Sequence, residues 1–454
     1  MSNQEYKDNF EDYLEEYASI FFDPNDDGNA ISDLINTVTK IIENKNFKLG
    51  TKYARIIRKL AKSLPVKKYD QFVQEEFINL FKNEIFHEDS QYASAVSRAI
   101  EYMYINIPPT IEYLEEADFI QHIIYNINNR LENVLHLTSF LGIMLRKTST
   151  NPLLEYFYNN FDFEHYADVL ANHRDTMIVN KGVFRFFKYI AMGKMLKTQE
   201  NIYKVFKFLK RMIKHTTDNK VQCRSIKTLT FCIKNWNSEA FYTMMDFNLI
   251  FFLDPITATH NYAANLVYDL YKHLLTVYPK KITPNYCQAV FDISNGPTIQ
   301  SCSAASFLDT YTDLRDDIVA CLWEGRHFYE FYNSALSSTY NTRYHSSMIV
   351  LNMIKRCTTF GVKKVTKCGE IMSIVRFVAE SETEKGVYAI IDAITHLLDV
   401  AKQEPEFYQT IKIYFENEFG GSEFYELIYP FVHDDAYSKK LEELYKNHMT
   451  ETDT

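Results

Sequence analysis

Glycine is scarce in this chain, with 12 copies among 454 residues. The tight strand-to-helix turns that cradle phosphates and dinucleotides are built on glycine. No G-x-x-x-x-G-K-[ST], G-x-G-x-x-G, G-x-S-x-G or H-E-x-x-H run occurs, which excludes the common nucleotide-binding, hydrolase and zinc-protease motifs. The seven cysteines (Cys223, Cys232, Cys287, Cys302, Cys321, Cys357 and Cys368) are odd in number and show neither C-x-x-C nor Cys/His ligand spacing. That argues against a disulfide framework or a structural zinc, and for a reducing cytosol or nucleus. No apolar run approaches the ~20 residues of a membrane helix. The acidic start MSNQEYKDNFEDYLEEY lacks the apolar segment of a secretory signal. The expectation is a cytoplasmic or nuclear protein that is not an enzyme and carries no cofactor or metal.

What is there is a folded, aromatic-rich chain. Hydrophobic residues make up 46% and charged residues only 24%, which excludes disorder. Tyr and Phe, with 33 and 34 copies, are the expected core fillers, and the two tryptophans, Trp236 and Trp323, are expected to pack inside. The organising pattern lies in Cys223 to Leu253. After Ser225, apolar residues fall at Ile226, Leu229, Cys232 and Ile233, one stripe of a 3.6-residue period. Asn235 to Ser238 interrupt it. Phe241 to Leu253 read as a second helix that Asp254 and Pro255 end.

The first half of that unit recurs. Anchored at Tyr53, Ala95, Leu137, Val183, Ser225, Ala263, Ala304, Ser347 and Val387, the copies are spaced by 42, 42, 46, 42, 38, 41, 43 and 40 residues. Such periods belong to helical solenoids, in which each unit buries its apolar face only against its neighbours. None of the 11 prolines falls in an anchor helix, and seven lie where a first helix should give way to a second. Gly50, Gly182 and Gly386 read as punctuation before anchor helices.

The unit resembles an armadillo or HEAT-type repeat over about residues 30–435. The small–apolar–apolar armadillo pattern is matched by Ala95/Ala99/Tyr102, Ser225/Leu229/Cys232 and Ala304/Leu308/Tyr311. The nuclear-import branch places an asparagine two residues after the central apolar position. Here those positions hold Lys59, Glu101, Ile143, Tyr189, Phe231, Asp269, Thr310, Met353 and Ala393, so the asparagine ladder is absent. The resemblance implies an all-α, right-handed α-solenoid, an armadillo-like superhelix of about nine helical units with terminal capping helices. The expected division is 1–30, an N-terminal capping helix and acidic loop; 31–435, the repeat array; and 436–454, a C-terminal capping helix and short tail.

The net charge is −10, yet two stretches are basic. Residues 40–68 carry ten Lys/Arg against Glu43, with Arg55, Arg58, Lys59 and Lys62 on one helix face, expected to be solvated. Residues 185–234 carry 13 Lys/Arg against Glu200 and Asp218. Within them Ile202, Phe206, Leu209 and Ile213 define a buried side, and Lys204, Lys207, Lys210, Arg211 and Lys214 fall opposite. The resemblance places this second helix on the concave groove. Two readings stay open: a solvated face, or a stripe that attracts an acidic or phosphorylated protein segment. Acids on the neighbouring second helices (Asp162, Glu164 and Asp168 before, Glu239 and Asp246 after) argue against a nucleic-acid track. His87, His260 and His433 are read as loop residues, with Asp or Ser in FHEDS and VHDDA capping the next helix. The functional expectation is a non-enzymatic scaffold or adaptor for protein partners, with no membrane span. The alternatives are a nuclear transport-type carrier and a structural subunit of a larger assembly.

Overall fold

The computed structural model describes residues 29–64, 66–129, 134–147, 151–172, 186, 198–215, 218–235, 242–245, 248–259, 262–420 and 423–449. The expected N-terminal capping helix, the Val183 anchor, Gly182, Trp236, His260 and the tail after Met449 lie outside the described residues. The fold is all-α, and no strand occurs among the described residues. Two compact units divide the chain, Met1–Phe247 and Asn248–Thr454.

In the first unit the helices are α1 (Asn29–Glu43), α2 (Phe47–Ser63), α3 (Glu75–Asn83), α4 (Ser90–Asn106), α5 (Ala117–Asn129), α6 (Val134–Lys147), α7 (Asn151–Asn160), α8 (Phe163–Asn172), α9 (Gln199–His215) and α10 (Asn219–Asn235). Anchor helices pack in series, α2 on α4 and α4 on α6. Their starts are set by local chemistry. The Asn46 side chain accepts the Leu49 N–H at 3.3 Å to cap α2. Asp89 accepts from Gln91 and Tyr92 to cap α4, as FHEDS implies.

The α2–α4 contact is close because small residues line it: Ala54 and Ala99 are fully buried. Gly50, in the first turn of α2 rather than before it, is pressed by Tyr92, whose Cε2 would lie 2.8 Å from a Cβ at that position. The Tyr92 ring is itself buried, with Phe47 and His87 each 5.4 Å away between ring centroids.

The second unit holds α11 (Leu249–Thr257), α12 (Tyr262–Val277), α13 (Cys287–Asn295), α14 (Thr298–Leu314), α15 (Asp316–Glu324), α16 (Phe328–Ser337), α17 (Tyr340–Ile354), α18 (Ile371–Ala379), α19 (Glu384–Ala401), α20 (Pro405–Phe419) and α21 (Asp435–Leu444). Here the anchor helices stack as α12–α14–α17–α19, and α21 packs on α19 with Leu441 and Leu444 buried. Asp434 caps α21 through the Ala436 and Tyr437 amides. Trp323 is buried as expected. Its indole N–H donates to the Met353 carbonyl at 3.1 Å and its ring stacks on Phe328 at 4.8 Å.

Two sequence expectations need correction. The helix expected over Phe241–Leu253 does not end at Pro255. Residues 242–245 are helical, Asn248 takes the left-handed conformation (φ 60°), and a helix from Leu249 runs through Pro255 to Thr257. Pro255 is exposed and stands near the end of α11, and Phe251, whose carbonyl loses its donor, is 80% exposed. Water can take that carbonyl, so the usual cost of an internal proline falls. Gly386 likewise lies inside α19, where Thr383 Oγ1 accepts its N–H as the helix cap.

Buried carboxylates tie successive anchor helices of this unit together. Asp309 on α14 meets His345 Nδ1 on α17 at 3.0 Å and Lys385 on α19 at 3.3 Å. Asp392 on α19 meets Lys355, just after α17, at 2.9 Å, and Lys440 and Tyr437 on α21. Burial opposes ionisation of Asp392. The hydrogen bonds from Lys440 and Lys355 outweigh it and hold the carboxyl below its usual range.

Two outcomes are expected. Gly50→Ala forces a Cβ against a ring with no room to move, and should lower unfolding stability by about 1–3 kcal/mol in denaturant titrations. Asp392, with a depressed native pKa, contributes stability that is present above the unfolded carboxylate pKa of about 3.9 and is lost as pH falls through the native value. Melting temperatures of Asp392→Asn should therefore lie below wild type near neutral pH, with the difference shrinking in acid.

Candidate functional site

All five cations of the predicted stripe lie on α9. Thr198 Oγ1 accepts the Asn201 N–H at 3.3 Å near its start. Ile202, Phe206, Leu209 and Ile213 are buried, as the periodicity requires, together with Val205, Phe208 and Met212. This face packs on α8 and α10.

The opposite face is not a bare row of cations. Glu164 and Asp168, one turn apart on α8, reach across to it. Lys207 is hydrogen-bonded to Glu164, a contact that raises its ammonium pKa. The Arg211 guanidinium lies 2.5 Å from Asp168 and 3.6 Å from Glu164. Lys204 pairs with Glu200 within α9 at 2.8 Å and donates to the Tyr158 carbonyl at 3.0 Å. Lys210 is part-buried. Lys214, at the C-terminal end, is exposed and makes no ion pair with a described residue. Among the described residues Lys204, Lys207 and Arg211 thus pair with three carboxylates, and the exposed Lys214 sits at the end of the helix.

The acids were visible in the sequence, but their side-chain partners were not. Glu164 and Lys207 are 43 residues apart, close to one repeat period, and that spacing is the signal that could have paired them. Arg98 on α4 was not singled out. It lies 43 residues after Arg55 and shares a cleft with it.

No group of three or more potential metal ligands comes together among the described residues. Burial pushes the thiol of Cys357 up to about 12 and that of Cys368 up to about 11, and raises Cys223, Cys232 and Cys302 as well. Such thiols stay protonated near neutral pH and are poor nucleophiles. No described helix is long and apolar enough to cross a membrane.

No protein family matches the sequence, and neither does any curated protein. Solved structures do resemble it. An engineered protein superposes with a TM-score of 0.56 at 12% identity, over 92% of this chain and 99% of its own. SYS-1 superposes with a TM-score of 0.48 at 11% identity, over 92% of this chain and 84% of its own, too distant to carry an argument. At such identities the likeness concerns the fold alone. With the serial packing of anchor helices, it is consistent with a helical-repeat protein.

The α8–α9 pairs are solvent-screened, so each is worth ~1 kcal/mol or less. Arg211→Ala should lower stability by about that amount at low ionic strength, and the loss should fade in thermal melts at high salt.

Proposed function

We propose that the chain is a non-enzymatic scaffold: an armadillo-like α-solenoid of about nine units, cytosolic or nuclear, that holds a protein partner along pre-ordered helices. The observation that carries this reading is the serial packing of anchor helices within each unit, α2–α4–α6 and α12–α14–α17–α19. A stack of this kind presents many side chains in fixed register, and an extended segment can bind it without first ordering the surface. The seven cysteines are all free, in keeping with a reducing compartment.

The α9 face is the contact surface for an acidic or phosphorylated segment. Glu164 and Asp168 occupy the positions that a ligand's carboxylates or phosphates would take, so binding at Lys207 and Arg211 is an exchange of one anion for another. The exposed Lys214 marks the end at which a ligand enters.

The mechanism has a directional test. In fluorescence anisotropy with a labelled glutamate-rich peptide, Glu164→Gln/Asp168→Asn frees two cations and should tighten binding by roughly tenfold, the equivalent of ~1.4 kcal/mol. Lys214→Glu should weaken it, and added salt should weaken every variant. Equal affinities for wild type and both variants would sink the α9 assignment.

A further inference from the structure

A second basic feature lies in the first unit, where α2 packs on α4. A cleft of about 350 Å³ opens there, lined by Arg55 and Arg58 from α2 and by Ser90, Gln91, Ser94 and Arg98 from α4, with Ala95 at its base. The helical period explains the convergence. Arg55 and Arg58 are three residues apart on one face of α2. Gln91, Ser94 and Arg98 are spaced by three and four on the facing side of α4. The small residues that let the two backbones approach leave the long guanidinium arms standing around a shared hollow.

The electrostatics of this cleft differ from those of α9. Among the described residues no carboxylate lines it. None of its three arginines forms an ion pair with a described residue. The nearby acid Asp89 is engaged in capping α4 through the Gln91 and Tyr92 amides. Elsewhere arginines between packed helices find carboxylates: Arg211 with Asp168, Arg356 with Asp316, Arg376 with Glu418 and Glu423. Three like charges at one hollow, none paired with a described residue, repel one another, and Arg55 and Arg58 belong to the 40–68 stretch of ten cations and a single acid. An arriving anion relieves that repulsion.

The donor set selects the anion. Guanidinium groups present planar forks that match the oxygens of a phosphate or carboxylate, and phosphate offers three acceptors to three arginines. Two serine hydroxyls add neutral donors. Ser90 and Gln91 form the first turn of α4, where the helix dipole also favours negative charge. The site is a point, not a track: the chain following α4 brings Glu112, Glu115, Glu116 and Asp118, and a duplex would need continuous positive surface.

We propose that the Arg55–Arg58–Arg98 cleft binds a phosphate monoester carried on a partner polypeptide, so that the first unit reads phosphorylation. This goes beyond the α9 reading and stands on different residues.

The test is anisotropy of the full-length protein with a labelled peptide of neutral residues around one phosphoserine, beside its unphosphorylated twin. Only the phosphorylated peptide should bind. Arg98→Gln and Arg58→Gln should each weaken it about tenfold, as loss of a charge-assisted pair implies. Lys363→Gln, at an exposed cation of the second unit, should leave it unchanged, which separates a site at these arginines from general charge attraction. Arg98 is exposed, so its removal leaves packing intact, and unchanged melting curves would confirm that. The proposal is overturned if both peptides bind alike or if the arginine variants match wild type. It is equally overturned if a short DNA duplex or phosphoinositide vesicles bind through these arginines while the phosphopeptide does not.

Discussion

An anchor helix in this protein cannot bury its apolar stripe by itself; the next anchor helix, about 42 residues on, must cover it. That constraint governs the rest. It explains why small residues line the contacts: Ala54, Ala99, Ala263, Ala264, Ala304, Ala305, Ser346 and Ser347 are all fully buried. Their size lets helices approach closely, and large aromatics such as Tyr92, Tyr268, Tyr311 and Phe307 fill the spaces beside them. Close packing of this kind rewards each added helix with its neighbour's apolar surface.

Charge is arranged on the same period. Acids on one helix meet cations about a repeat further along: Glu164 with Lys207, Asp316 with Arg356, Asp392 with Lys440. In the second unit some of these carboxylates are nearly buried, so removing one partner would leave a charge out of water and unpaired. In the first unit the Glu164–Lys207 and Asp168–Arg211 pairs sit nearer the surface and constrain less. The α2–α4 cleft departs from the pattern, gathering cations with no described acid lining it.

Much of the architecture was legible because it follows from local spacing. The 3.6-residue stripes correctly marked the buried sides of α9 and α10, and the His-acid loops correctly marked caps at Asp89 and Asp434. What misled was residue chemistry read without its surroundings. Proline usually ends a helix, yet Pro255 faces water and does not. Gly50 looked like a boundary, but its place inside α2 reflects a Tyr92 ring delivered by the next repeat.

The candidate site shows the same division. The sequence by itself determined that α9 has an apolar face and a cationic face, since both follow from periodicity along one helix. Only the tertiary structure decided what each cation meets. Glu164 and Asp168 come from a different helix, and Arg98 joins Arg55 and Arg58 only because α4 packs on α2. Periodicity assigns a side chain to a face. Its partners are set by packing between helices some 40 residues apart, and the electrostatic character of a surface depends on those partners.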